Sequence, residues 1–197
     1  MAKSPEPNRR QEILNAAREV FRKKGFGEAH MSEIADLAGV AKGTVYLYFP
    51  SKLALLDALC NLYQDLIADA LEAPMHEPDT GEALKKAVHA AIQVAAREKD
   101  LLQLLDLRLG LHIRDRDVEN PRAQQLVREF FAGRIERGDI KGYDPVIISD
   151  LTGGFVQWII KAALLWRHVS DVDPKYEDTA VRMLQRALLG PEPPARK

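Results

Sequence analysis

Residues 32–56 read "SEIADLAGVAKGTVYLYFPSKLALL", and the organisation of the whole chain follows from how this stretch is parsed. Residues 32–38 give fewer than two turns of helix, and Gly39 tolerates the positive φ that lets a chain leave one helix and enter another at a sharp angle. Residues 42–49 supply a second short helix. Pro50 disfavours helix at the residue before it, and Ser51 is placed to cap the helix that follows. Helix, glycine turn, helix is the arrangement in which the second helix enters the major groove of DNA. Ile34, Ala35, Leu37, Ala38, Val40 and Val45 are expected to form the small core that fixes the angle between the two helices, with Tyr46 and Phe49 on the packed side. Gly43, Thr44, Leu47 and Tyr48 then fall on the other side, where backbone and hydroxyl groups can meet phosphates and base edges. Lys52 adds a charge at the start of the next helix and is expected to join Thr44 and Tyr48 in contacts with DNA phosphate.

Charge supports a polyanion partner for this end of the chain. The formal net charge of the 197 residues is only -1, but residues 1–52 hold nine Lys/Arg against six Asp/Glu, a net +3, which leaves −4 on the remainder. Local rather than total charge steers association. Arg9 and Arg10 lie ahead of the expected first helix, either as a minor-groove arm or as solvated charges. Cys60 is the single cysteine, which excludes a disulfide framework and a thiolate zinc cluster, and its place beside Leu59 and Leu62 predicts a buried, inert thiol. No pair of histidines is spaced for a helical metal site, so neither metal nor cofactor is expected. Nothing matches a phosphate-binding glycine loop, a nucleophile elbow or a metal-protease helix, which argues against an enzyme. The start lacks the apolar run of a signal peptide, and the apolar region 155–166 is too short to span a membrane; a cytoplasmic protein with no membrane partner is expected.

Outward from the opening stretch the chain reads as helix after helix. Ile13, Leu14, Ala17, Val20 and Phe21 recur at helical spacing, with Gly25 placed to stop that helix. Leu55, Leu56, Leu59, Leu62, Tyr63 and Leu66 do so again until Pro74 and Pro78 break the pattern. Further amphipathic faces follow from Leu84 to Ala95 and from Ala123 to Ile135. The segment "LLQLLDLRLGLHI" between them is read as helix because no partner strand exists elsewhere, and "IRDRDVE" at 113–119 as a solvated loop. Two last helices are expected at about 145–168, opened by a proline where a missing N–H is harmless, and at about 174–189, closed by Gly190 and Pro191. The fold class is therefore all-α: an N-terminal three-helix helix-turn-helix domain over 1–52, a C-terminal helical regulatory and dimerisation domain over 53–190, and a disordered tail over 191–197.

Over residues 11–59 the chain resembles the DNA-binding core of the TetR family of bacterial repressors. That resemblance implies a homodimer, double-stranded operator DNA of near-palindromic sequence as partner, and a helical body whose small-molecule effector spreads the two heads and releases DNA. It places Lys42, Gly43 and Thr44 where family recognition helices meet DNA, with Tyr48 in place of a common histidine and Lys52 in place of a lysine that opens the next helix. Two departures stand out. His30 replaces the usual Thr or Ser three residues before Glu33, which removes the familiar capping box and leaves Ser32 as the expected cap and a candidate DNA contact. Ala41 replaces a serine and removes a hydroxyl from the same turn.

The body supplies two further expectations. Leu101, Leu104, Leu105, Leu109, Phe130, Phe131 and Trp158 are more bulky apolar groups than a compact bundle needs, and with Gln157, His112 and Arg108 as polar anchors they are candidates to line a site for a largely apolar effector. Between 155 and 166 only Gln157 and Lys161 are polar, so that helix must be buried on more than one side. Phe155, Ile159, Leu165 and Trp166, with Val181, Leu184 and Leu188 of the last helix, are the expected contacts with a second copy. Two other readings remain open: a DNA binder with no inducer, and a ligand-binding helical protein whose head has lost DNA affinity. Retention of Lys42, Gly43, Thr44 and Lys52 argues against the latter.

Overall fold

The computed structural model describes residues 7–110, 121–166 and 173–190. His112, the 113–119 loop, the end of the helix expected to reach 168 and the 191–197 tail lie outside the described residues, as does the side chain of Trp166. Every regular element among the described residues is helical. In chain order these are α1 (Pro7–Glu28), α2 (Met31–Leu37), α3 (Lys42–Tyr48), α4 (Lys52–Met75), α5 (Thr80–Arg97), α6 (Lys99–Gly110), α7 (Pro121–Glu136), α8 (Pro145–Lys161) and α9 (Pro174–Leu189); α8 ends in a wider π turn, Ala162–Trp166.

The helix ends are chemically marked. Gly25 leaves the helical region inside α1 at φ 78°, the stop expected of it. Asp79, Asp144 and Asp173 each accept backbone N–H bonds of the helix they precede, Asp144 taking two at 2.9 and 3.0 Å from Val146 and Ile147. Pro145 and Pro174 occupy the first turns of α8 and α9. Pro74 does not end α4 as expected but sits in its last turn. The helix stops one residue later, so the missing N–H removes only a terminal bond.

Packing divides the described chain into two units: residues 7–63 with 100–110, and residues 64–99 with 121–166 and 173–190. Packing thus divides the chain elsewhere than at the sequence boundary of residue 52. α6 goes with the head: its Leu101 and Leu102 are fully buried in the same unit as Ile13 and Ala17 of α1 and Leu55, Leu56 and Leu59 of α4, which are fully buried too. A two-fold charged contact adds to this: Arg18 of α1 donates to both carboxylate oxygens of Asp100 at 2.6 and 2.7 Å. Cys60 is fully buried in this unit, and desolvation pushes its thiol up to about 12.

In the second unit α5 packs on α9 and α7 on α8. Ala83, Leu84, Phe130, Phe131, Ile140, Ile148 and Leu188 form its core cluster, in which the rings of Phe130 and Phe131 meet edge to face at 5.3 Å. Truncating a buried ring such as Phe131 to alanine costs about 3–5 kcal/mol. A buried arginine, Arg134, closes the loop before α5: its guanidinium donates to the carbonyls of Glu77 and Pro78 and stacks 4.7 Å over Phe130.

Candidate nucleic-acid interface and apolar cavity

The α2–turn–α3 stretch is held by backbone bonds. Gly39 adopts φ 65°, its N–H donates to Asp36 O at 3.2 Å, and Val40 N–H donates to Ala35 O at 3.0 Å. At the start of α2 the cap position is His30, not Ser32, which lies one residue inside the helix. Half of the capping box survives the loss of the usual hydroxyl, because the Glu33 carboxylate accepts the His30 backbone N–H at 3.1 Å. The Lys24 ammonium on the other side of that carboxylate, ahead of the His30 N–H, keeps Glu33 below the usual carboxylate range. Ser51 caps α4 as expected, accepting the Ala54 N–H at 3.0 Å.

Val45 and Phe49, four residues apart, form the buried edge of α3, and the Arg10 guanidinium lies 4.9 Å over the Phe49 ring. Two expected core residues are not in the core. Leu37 is 53% exposed and Tyr46 is 43% exposed. One step along a helix turns the side chain by about 100°, so with Val45 and Phe49 buried Tyr46 joins Lys42, Gly43 and Leu47 on the open face. Thr44 and Tyr48 flank that face, half-buried, and Ser32 is exposed. Sequence reasoning missed Tyr46 because it counted distance from the apolar neighbours rather than angle around the helix. Arg9 and Arg10 are not ahead of the first helix; α1 begins at Pro7, and Arg9 pairs with Glu12 at 2.7 Å.

Lys52 has a task inside the head. Its ammonium donates to the carbonyls of Phe26, Gly27 and Ala29 at 2.6, 2.9 and 3.0 Å and lies 4.7 Å from the centre of the Phe26 ring. All three of its donors are thereby used to tie the start of α4 to the α1–α2 corner. Its expected phosphate contact would have to displace one of these bonds.

The second unit holds a cavity of about 360 Å³ that is partly open to solvent. Four α4 residues enter its wall, Gln64, Ile67, Leu71 and Met75, and α5, α7, α8 and α9 complete it. Of the residues expected to line an effector site, Phe130, Phe131 and Gln157 do so. Leu101, Leu104, Leu105 and Arg108 belong to the first unit: the leucines are buried there, and Arg108, also buried, donates to Asp57 at 2.5 Å. Leu109 and Trp158 are each 58% exposed and do not face the cavity, Trp158 because it lies on the outer side of α8. The missed wall of α4 and α5 had a readable signal, small and apolar residues such as Ala87 and Ala91 recurring beside Leu84 and Val88.

The outer side of α8 corrects another expectation. Ile159, Val181, Leu184 and Leu188 are buried within their own chain and so have little surface left for a second copy; Phe155 and Leu165 are half-buried. Of the open apolar groups on α8, Ile147, Leu151 and Trp158 lie on one stripe with Gly154, and Val146 is exposed beside it. With its π turn this helix, Pro145–Leu165, is long and apolar enough to cross a membrane by length and composition, although a third of its most apolar window is buried inside the protein. Among the described residues no cluster of three His, Cys, Asp or Glu could hold a metal.

Residues 13–59 match the family model described as bacterial regulatory proteins, tetR family. The HTH-type transcriptional activator FasR of Mycolicibacterium smegmatis is 40% identical over 44% of this chain and 40% of its own length. A fatty acid metabolism regulator protein of Bacillus subtilis is 29% identical over 78% of this chain and 71% of its own. The chain spans about half the length, or less, of the curated relatives it matches first. The crystal structure of the transcriptional regulator FadR from Bacillus subtilis in complex with stearoyl-CoA superposes with a TM-score of 0.71 at 20% identity, covering 92% of this chain and 99% of that one, a likeness of fold.

Proposed function

We propose that this chain, whose residues 13–59 match the family model of the tetR bacterial regulatory proteins, is an effector-controlled repressor that binds a near-palindromic operator as a homodimer in the cytoplasm. It acts by binding rather than by catalysis. The observation that carries the effector half of this reading is the apolar cavity of about 360 Å³ walled by α4, α5, α7, α8 and α9, of a size that suits a small, largely apolar molecule. α4 is continuous from Lys52, which braces the head, to Gln64, Ile67, Leu71 and Met75 in the cavity wall. A molecule lodged there acts on the helix that opens in the head. Relatives named for fatty acid metabolism, one of them solved with stearoyl-CoA, support an effector with a long apolar chain.

The DNA half rests on the open face of α3, where Lys42, Gly43, Tyr46 and Leu47 stand clear of the head's core. The dimer half rests on the exposed stripe of α8, which a symmetry mate would cover. Release requires that the effector bind the spread arrangement of the heads more tightly than the DNA-bound one, since equal affinity shifts nothing.

The test begins with selection of duplexes from a random library on the full chain. The expected product has two inverted half-sites about one helical turn, or a multiple of it, apart. Ala91→Trp, which fills the cavity, should keep the affinity for that duplex and lose any release by apolar compounds that free the wild type. A chain that enriches no duplex refutes the proposal; an Ala91→Trp protein still released by the same compounds refutes the effector site.

A further inference from the structure

The cavity wall is nearly devoid of charge. Among the described residues that line it none is Lys, Arg or His, and Asp150 is the one carboxylate. Asp150 is itself at the rim: its side chain is 62% exposed and lies 3.5 Å from the Arg128 guanidinium. The interior polar groups are neutral. Ser149 already donates its hydroxyl hydrogen to Pro145 O at 2.5 Å, whereas the Gln157 amide oxygen is buried with no hydrogen-bond partner.

From this wall we infer that the cavity selects an uncharged amphiphile carrying a hydroxyl or amide N–H, and rejects the free carboxylate of the same chain length. The inference rests on the effector reading above and narrows it to a ligand class. An ionised carboxylate taken from water into such a wall finds no cation and loses its hydration, a cost of several kcal/mol after relaxation. A hydroxyl loses far less and meets the buried, unpaired Gln157 amide oxygen. The unpaired Gln157 oxygen carries a desolvation cost in the empty protein, and a small rotation of its amide toward a ligand donor removes that cost. Selection therefore arises from two features of this chain: the absence of a countercharge among the described lining residues, which excludes the acid, and Gln157, which rewards the donor. Between chains of equal length, the terminal group is what this cavity reads.

Decanol and decanoate, compared by calorimetric titration of the full chain at pH 8, test this directly. Decanol is expected to bind at least about tenfold more tightly, and Gln157→Leu to weaken decanol about five- to tenfold while leaving decanoate unchanged. Decanoate binding as tightly as decanol overturns the inference and leaves the effector site standing. Decanol binding unaffected by Gln157→Leu removes Gln157 from it. If neither compound binds at its solubility limit, the effector reading falls and this inference with it.

Discussion

Two helices of this molecule expose large apolar side chains, and they do so in different company. On α3, Leu47 is 68% exposed and shares its face with Tyr46, Lys42 and the bare backbone at Gly43. On α8, Ile147 and Leu151 are 60% and 64% exposed and continue through Gly154 to Trp158, with Asp150 only at the flank. Where exposed apolar groups cluster, the neighbours they keep bear on the kind of partner that would fit them. A cation, a phenol and an approachable backbone beside a leucine suit a polyanion with methyl groups in its groove. A stripe with no charge from Ile147 to Trp158 suits a second identical surface.

The sharpest challenge to this contrast is Leu151→Asp. In the proposed dimer a carboxylate at the centre of the α8 stripe would face its own copy across a two-fold axis, and the chain should turn from dimer to monomer by light scattering. Operator affinity should fall about a hundredfold or more as the two heads lose their linkage, with the melting temperature of the monomer little changed because Leu151 is exposed. A Leu151→Asp protein that stays dimeric breaks the assignment of α8.

Lys52→Ala separates a bracing lysine from a DNA-contacting one. Loss of the three carbonyl bonds should destabilise the head by about 2 kcal/mol, read by denaturant unfolding. A phosphate contact at Lys52 would instead show as a salt dependence of DNA binding shallower by about one unit. Unchanged stability with a shallower slope returns Lys52 to the DNA-binding surface.

Gly43→Ala is the gentlest probe. A Cβ at Gly43 meets nothing within 4 Å and its φ is not left-handed, so the free protein should be as stable or slightly more so. If DNA approaches this backbone closely, anisotropy titration should show affinity reduced by about tenfold. Full affinity in the alanine variant would mean that the open face of α3 meets DNA elsewhere.

The head was legible because its signals are local. The glycine turn at 39, the stop at 25 and the Ser51 cap each depend on residues within a few positions of one another. What escaped depends on direction. Tyr46 and Leu37 sit among apolar neighbours in the sequence yet point outward, and Val181, Leu184 and Leu188 form an apolar stripe that the chain itself consumes. In a helix apolar on most of its circumference, composition gives the amount of surface to be buried but not which side belongs to the partner. The same holds for α6: its leucines suit a cavity wall by composition, but they are buried in the head's own unit. The Lys52 bracing was out of reach because it joins a side chain to carbonyls 23 to 26 residues away.

The burial of Cys60 gives the molecule a clock. It is the single thiol of the chain, it has no exposed surface, and desolvation holds it protonated far above neutral pH. A thiol reagent can therefore modify the protein only while α4 has opened, and each modification event is counted at one known position. The labelling rate divided by that of a free thiol gives the fraction of time the head is open. Followed with operator or effector present, the same rate would register how far each ligand steadies the helix that begins in the head and ends in the cavity wall.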